Sequence, residues 1–303
     1  MRLLSPNGWI FGLFAFALTP VQAAERIGTV TLLEGPAALV RGTTRYAFAE
    51  GVRFRPGDIV EVSDKGLMEI EFPDGAALAM GPGTQMLAVA ASHGRSAAGD
   101  YYVMRGAVKV SRVTKSTIFR LVTPDFTLQP VEGAVVMVLG AAEGSVFIEG
   151  GEARLDEPAS KAAGALSLRL KNGQFYTRKT GQKGVIGPRP SEPFIAALPR
   201  LFLDPLPSRL ARYKERDIAP KSVDEASYEE VEPWLKAPPD IRRPLMPRFR
   251  PRASDPEFRK ALVANLRYHP EWDPVLFPEK YKPKQPAPGA PGVPATAGSG
   301  PAR

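Results

Sequence analysis

The chain of 303 residues has no cysteine and only two histidines, His93 and His269. Disulfides therefore cannot hold it together, and a zinc or thiolate site built from its own side chains is short of donors. Long apolar runs are also missing. The one extended apolar stretch, Trp9 to Leu18, is about half of the roughly 20 residues that a membrane-crossing helix needs. It stands behind Arg2 and ahead of Thr19-Pro20 and Val21-Gln22-Ala23. A charged start, a short apolar middle and small residues at the end make a secretory signal, with cleavage after Ala23. No cysteine follows that point, so a lipid-anchored form is not expected, and the mature chain should be soluble in the periplasm. A phosphate loop is missing too, because Gly81-Pro82-Gly83 lacks the Lys and the helix such loops need. The net charge is +8, which drops by one when Arg2 leaves with the signal. In the envelope that excess favours acidic partners, and export argues against nucleic acid.

What is present is alternation. Val60-Glu61-Val62, Met68-Glu69-Ile70-Glu71-Phe72 and Val108-Lys109-Val110 each set apolar residues on one face and charges on the other. Period two with regular turn signals predicts an all-β domain, and about 160 residues of such sequence can bury a core. Gly57-Asp58 reads as a turn in which Gly takes a positive φ and Asp holds nearby amides. Asp74-Gly75 and Gly140 to Gly144 read as hairpins.

Proline divides the chain. Nine of the 32 prolines lie in residues 1–187 and 23 in residues 188–303. Downstream of Gly187-Pro188 neither long helices nor central strands can persist. The expected organisation is a signal (1–23), an all-β domain (24–187), a Pro-rich region with short helices (188–282) and a low-complexity, disordered tail (283–303). Three helices are predicted in the third part. Ser208 would cap a segment through Arg216, with Leu210 and Tyr213 on one face. Ser222 and Ser227, with Glu225 and Glu230 three residues on, have capping-box spacing ahead of Pro233. Ser254 has the same spacing to Glu257, and Phe258, Leu262 and Leu266 then form one apolar stripe ending at His269-Pro270. That stripe is expected to dock, either on the β domain or on a partner.

In the β block Gly28-Thr29-Val30, Gly35-Pro36-Ala37, Arg41-Gly42, Gly51 and Gly57-Asp58 come first. Phe72-Pro73-Asp74-Gly75, Leu78, Gly81-Pro82-Gly83-Thr84, Gly106-Ala107-Val108, Thr123-Pro124, Val146 to Gly150 and Leu170 to Gln174 follow in order. Over about half of the mature chain this pattern resembles the FecR-type periplasmic domain of envelope sensors and stand-alone exported proteins. The resemblance implies a compact stack of short antiparallel strands, solenoid-like or sandwich-like. It departs at Val131-Glu132-Gly133-Ala134, where the family carries a Gly-Thr pair, so a partner contact at that turn would differ. Regulatory members also place a cytoplasmic domain and a true membrane helix ahead of this module. Here only the signal is found, which argues against a direct anti-sigma role.

Candidate chemistry is sparse. Asp58, Glu69, Glu71 and Asp74 are the densest carboxylates, and paired carboxylates can cleave glycosidic bonds. Yet Glu69 and Glu71 are expected on a solvent face, and Asp58 and Asp74 stand where turns ask for Asp. Ser92-His93 has no acid at a triad spacing and lies in a small-residue loop. Trp234, Tyr268, Trp272 and Phe277 are expected to hold the C-terminal region onto the β domain. Arg242, Arg243, Arg248, Arg250 and Arg252, interleaved with Pro and Phe249, form a basic strap that could grip an acidic surface. Together these features describe a non-enzymatic binding, sensor or assembly module without cofactor or metal, whose partner is an envelope protein that could add a strand to an exposed edge. Peptidoglycan or another glycan is the alternative partner, and an enzyme built on Glu69 and Asp74 the weakest option.

Overall fold

The structure is a computed structural model that describes residues 27–90, 99–117, 119–159 and 165–282. The signal segment, Ser92-His93 and the tail from Pro283 lie outside the described residues. The chain divides into two units, one of residues up to 39 with 47–221, the other of residues 40–46 with those from 222 on.

The first unit is built on strands. In chain order the strands begin with β1 (Gly28–Glu34), β2 (Ala37–Arg41), whose last two residues belong to the second unit, β3 (Thr44–Ala47), which belongs to the second unit except for Ala47, β4 (Arg53–Phe54) and β5 (Ile59–Val62). Next come β6 (Leu67–Glu71), β7 (Ala77–Met80), β8 (Gln85–Ala88), β9 (Asp100–Val113) and β10 (Arg120–Val122). The last are β11 (Thr127–Leu139), β12 (Glu143–Glu157), β13 (Leu166–Lys171), β14 (Phe175–Lys179) and β15 (Val185–Gly187). The mainly-β expectation holds, although β9, β11 and β12 have 14, 13 and 15 residues and are not short.

Each of those three strands changes its pairing partner along its length. The first part of β9 pairs with β8 and, in parallel, with β10, while its second part pairs with β7 and β11. The first part of β12 pairs with β14 and its second part with β13. Register shifts mark these changes, at Met104 in β9's pairing with β8 and on either side of Gly133 in the β11–β12 ladder. Bulges of this kind let one strand bend from one partner to the next. Gly133 and Gly151 have φ of +90° and +75°, and a Cβ on either would overlap backbone of the opposite strand. The stretch Val131 to Ala134 is thus a bulge inside β11, not a turn. Likewise Gly106 to Val108 lies inside β9 and does not begin a strand.

The strands pair into one mixed sheet with an aromatic core. Tyr101 of β9 stacks on Phe54 at 6.0 Å and on Phe119 at 4.8 Å, and Phe72 meets Phe119 edge-on at 5.5 Å. Each such pair adds about 0.5–1.5 kcal/mol beyond the area it buries. The predicted turns are formed as the chemistry demands. Asp58 accepts from the Arg55 amide at 2.8 Å, Asp74 from the Ala76 amide at 3.1 Å, and Gly57 and Gly75 have φ near +88° and +86°.

The first unit does not stop at the proline boundary. Gly187 ends β15, and the chain then runs through α1 (Glu192–Ala196) and α2 (Arg200–Leu203) to Lys221. Phe194, Leu201 and Phe202 from this segment form a second core with Leu32, Ala79, Ala107, Val136 and Phe175 of the strands. Beyond it the helix expected from Ser208 to Arg216 shrinks to a 3-10 turn at Leu210–Tyr213. The Ser208 hydroxyl accepts from the Leu210 amide at 3.4 Å and donates to Glu71.

The second unit has its own core. Its strand β16 (Lys221–Glu225) stands where capping by Ser222 was predicted, and all five of its residues are exposed. The helices are α3 (Tyr228–Leu235), α4 (Pro239–Arg242), α5 (Leu245–Phe249), α6 (Pro256–Ala264) and α7 (Asp273–Leu276). Ser227 and Glu230 complete the capping box of α3, which continues two residues past Pro233. The cap of α6 is Asp255, whose carboxylate accepts from the Phe258 amide at 2.8 Å. Ser254 instead donates to the Pro251 carbonyl and closes the preceding turn. Phe258 and Leu262 of the predicted stripe are buried, and Phe258 meets Tyr228 edge-on at 5.6 Å. Trp234 and Trp272 are buried in this unit, so they build its core. Tyr268 is exposed, with the Lys236 and Arg267 cations over its ring.

Candidate interaction surface

The carboxylates are the first place to look for chemistry. Glu69 and Glu71 do not face solvent: they are 5% and 1% exposed. The alternation put them on the polar face correctly, but the α1–α2 segment and the turn after it cover that face. Glu71 accepts from the Ser208 hydroxyl and from the Arg209 amide at 2.7 Å, and Arg112 lies 3.2 Å away. Burial pushes the Glu69 carboxyl above its usual range, with the Glu71 charge adding to it and Arg112, Arg209 and Lys109 opposing. Lys109 is itself buried, pairing with Glu149 at 2.6 Å and donating to the Phe202 carbonyl. Arg112 is the one non-glycine residue with positive φ among the described residues, and it donates to the Gly75 carbonyl at 3.0 Å.

This network ties the covering segment to the sheet. A cleft of about 590 Å³ opens beside it, lined by Lys109, Arg112, Glu149, Gly133 and Pro205 to Pro207. Neither Glu69 nor Glu71 reaches that lining. Asp58 is buried in its turn, and Asp74 is an exposed turn residue. The four carboxylates therefore do not form a pair facing a substrate-sized space. No group of three His, Asp or Glu among the described residues is placed to hold a metal.

The arginines separate into different roles. Arg242 donates to both oxygens of Glu271, at 2.7 and 3.2 Å, and to the Ala237 carbonyl at 3.0 Å. Arg248 donates to the Gly42 carbonyl and, at 2.7 Å, to the Val40 carbonyl, binding the 40–46 segment to the helices of its unit. The Arg252 guanidinium lies 5.4 Å from the Phe258 ring. Arg243 and Arg250 are exposed. Sequence spacing suggested one strap, but three of the five side chains are engaged inside the second unit.

His269 has no exposed surface. Its Nε2 lies 3.1 Å from the Tyr228 hydroxyl, and its Nδ1 has no partner. Burial holds the imidazole below its usual range, although its own backbone and Glu271 act the other way.

The sheet itself supplies the surface that sequence reasoning left unlocated. β15 pairs with β14 alone, in the register Phe175–Gly187, Tyr176–Ile186 and Thr177–Val185. Val185 and Ile186 are 63% and 41% exposed, whereas Phe175 and Tyr176 on the neighbouring strand are buried. The available signal was a Val-Ile pair between Gly184 and Gly187, just ahead of the proline boundary.

No family model matches the chain, and no curated protein matches it. Two solved structures overlap it in part, both of candidate anti-sigma factors from Parabacteroides distasonis ATCC 8503. The first overlap covers 46% of this chain and 62% of the other, at 15% identity and a TM-score of 0.36. The second covers 57% and 87%, at 14% identity and the same score. The chain thus spans less than two thirds of the first structure. Superpositions this loose support no transfer of function, and none is made. Among the described residues no helix is long and apolar enough to cross a membrane.

Proposed function

We propose that this chain is a non-enzymatic periplasmic protein, exported by its N-terminal signal, that binds another envelope protein through the free edge of β15. The FecR-like pattern of turns supports a binding or sensing role. The observation that carries the proposal is the exposed Val185-Ile186 pair on a strand hydrogen-bonded along one side only. An open edge offers backbone donors and acceptors to an extended segment, and alternate side chains give it selectivity. The carboxylates that acid–base chemistry would need are spent on the covering segment and on turns.

The test is a photo-crosslinking amino acid at Val185, with Lys115, an exposed residue that follows β9 and pairs with Glu132 of β11, as the control. In intact cells one discrete envelope adduct is expected from position 185 and not from position 115. No adduct at Val185 would refute the proposal. Co-sedimentation with peptidoglycan that is lost on replacing Arg243 and Arg250 would point to the glycan alternative instead.

A further inference from the structure

The charges around β15 define the kind of segment that fits it. Residues 171–191 contain five cations, Lys171, Arg178, Lys179, Lys183 and Arg189, and no Asp or Glu. Arg178 is neutralised by Glu157 at 2.9 Å, and both are buried. Lys171 stands opposite Glu152 in the β12–β13 register, and Lys179 opposite Glu143 in the β12–β14 register. Lys183 and Arg189 differ from these three. They are exposed, they flank β15 two residues before and two residues after it, and neither makes an ion pair with a described residue.

We infer that the occupant of this edge, if β15 is the binding edge as proposed above, is an extended segment of a partner protein with a short apolar centre and a carboxylate at each end. Lys183 and Arg189 are six positions apart, which is about 20 Å along an extended chain at roughly 3.3 Å per residue. The apolar centre covers Val185 and Ile186, and the carboxylates meet the two cations. Two other occupants fit less well. A second copy pairing antiparallel about Ile186 would put Lys183 opposite Arg189 at both ends, and like charges directly opposite are destabilising. The chain's own residues 283–303 hold six prolines and no Asp or Glu. Each proline lacks the amide a ladder needs.

The probe is a fluorescein-labelled heptapeptide, Glu-Thr-Val-Thr-Val-Thr-Glu, titrated into the full chain by anisotropy at low salt. Its counterpart carries Lys in place of both Glu. The acidic peptide is expected to bind about tenfold more tightly, as two exposed charge pairs change from attractive to repulsive. The advantage should shrink in high salt, and it should reverse in the double variant Lys183→Glu, Arg189→Glu. Equal binding of the two peptides would overturn the acidic partner and leave the edge proposal standing. Failure of both to bind would overturn the edge proposal as well.

Discussion

Replacing Arg242 by Ala distinguishes a structural arginine from one that grips a partner. In the folded chain its guanidinium and the Glu271 carboxylate are only 12% and 17% exposed, joined by two hydrogen bonds. Removing one member of a buried pair strands the other and costs about 3–5 kcal/mol when no water reaches it. Some water reaches Glu271, so the carboxylate contributes at the low end. The lost bond to the Ala237 carbonyl adds about 1 kcal/mol. A total near 4 kcal/mol lowers the folding equilibrium constant about a thousandfold. Tryptophan fluorescence reads this change directly, because Trp234 and Trp272 both lie in the second unit and the third tryptophan of the sequence, Trp9, falls in the segment expected to be removed as a signal. Urea titration followed at these tryptophans should show a lower midpoint for Arg242→Ala. The pair Arg242→Met, Glu271→Leu should recover most of the loss. The pH dependence adds a sign. Burial alone would raise the Glu271 carboxyl, but the Arg242 bonds and charge outweigh it and hold the group below its ordinary 4.5. Its contribution is therefore complete above 4.5 and is lost as pH falls through the lower folded value. Without Arg242 burial is opposed only by the backbone bond to Glu271 and by His269, and acid should destabilise the variant less than the parent. An unchanged midpoint in Arg242→Ala would refute this account.

Two further outcomes are expected from the packing. His269 is held below its usual 6.5, so the unfolded chain takes up a proton first and stability should fall as pH drops below about 6.5, by at most about 1.4 kcal/mol per pH unit from this group; His269→Gln should remove that slope in urea titrations, and a slope kept intact would assign it elsewhere. Gly133→Ala combines a φ of +90° with overlap on the Gly150 carbonyl and should cost more than the roughly 1–2 kcal/mol of left-handed strain alone; Gly42→Ala, with φ of +62° and open space around it, should cost only that strain, and equal thermal shifts for the two would contradict the bulge.

Local chemistry wrote the turns legibly. Asp58, Asp74, Gly57 and Gly75 act within a few residues of themselves, so their spacing was enough to predict their bonds. The capping box at Ser227 is legible for the same reason, while Ser254 was misjudged because the helix starts one residue later, where Asp255 caps the Phe258 amide and Ser254 closes the preceding turn. Ser222 shows the limit of local spacing: β3 takes its segment as a ladder partner, and tertiary pairing overrides a cap that only a short helix would reward.

The sequence by itself determined the mainly-β class, the hairpin and turn positions and which residues of each strand share a face, because a strand's period of two is set by its own backbone. Tertiary structure decided what covers those faces. Glu69 and Glu71 are buried because a segment more than a hundred residues away closes over them, and Arg242 is engaged because Glu271 comes back to it. It also decided which strand ends the sheet: β15 is an edge because, among the described residues, no strand other than β14 pairs with it, a fact that no local pattern of Gly, Val and Ile encodes.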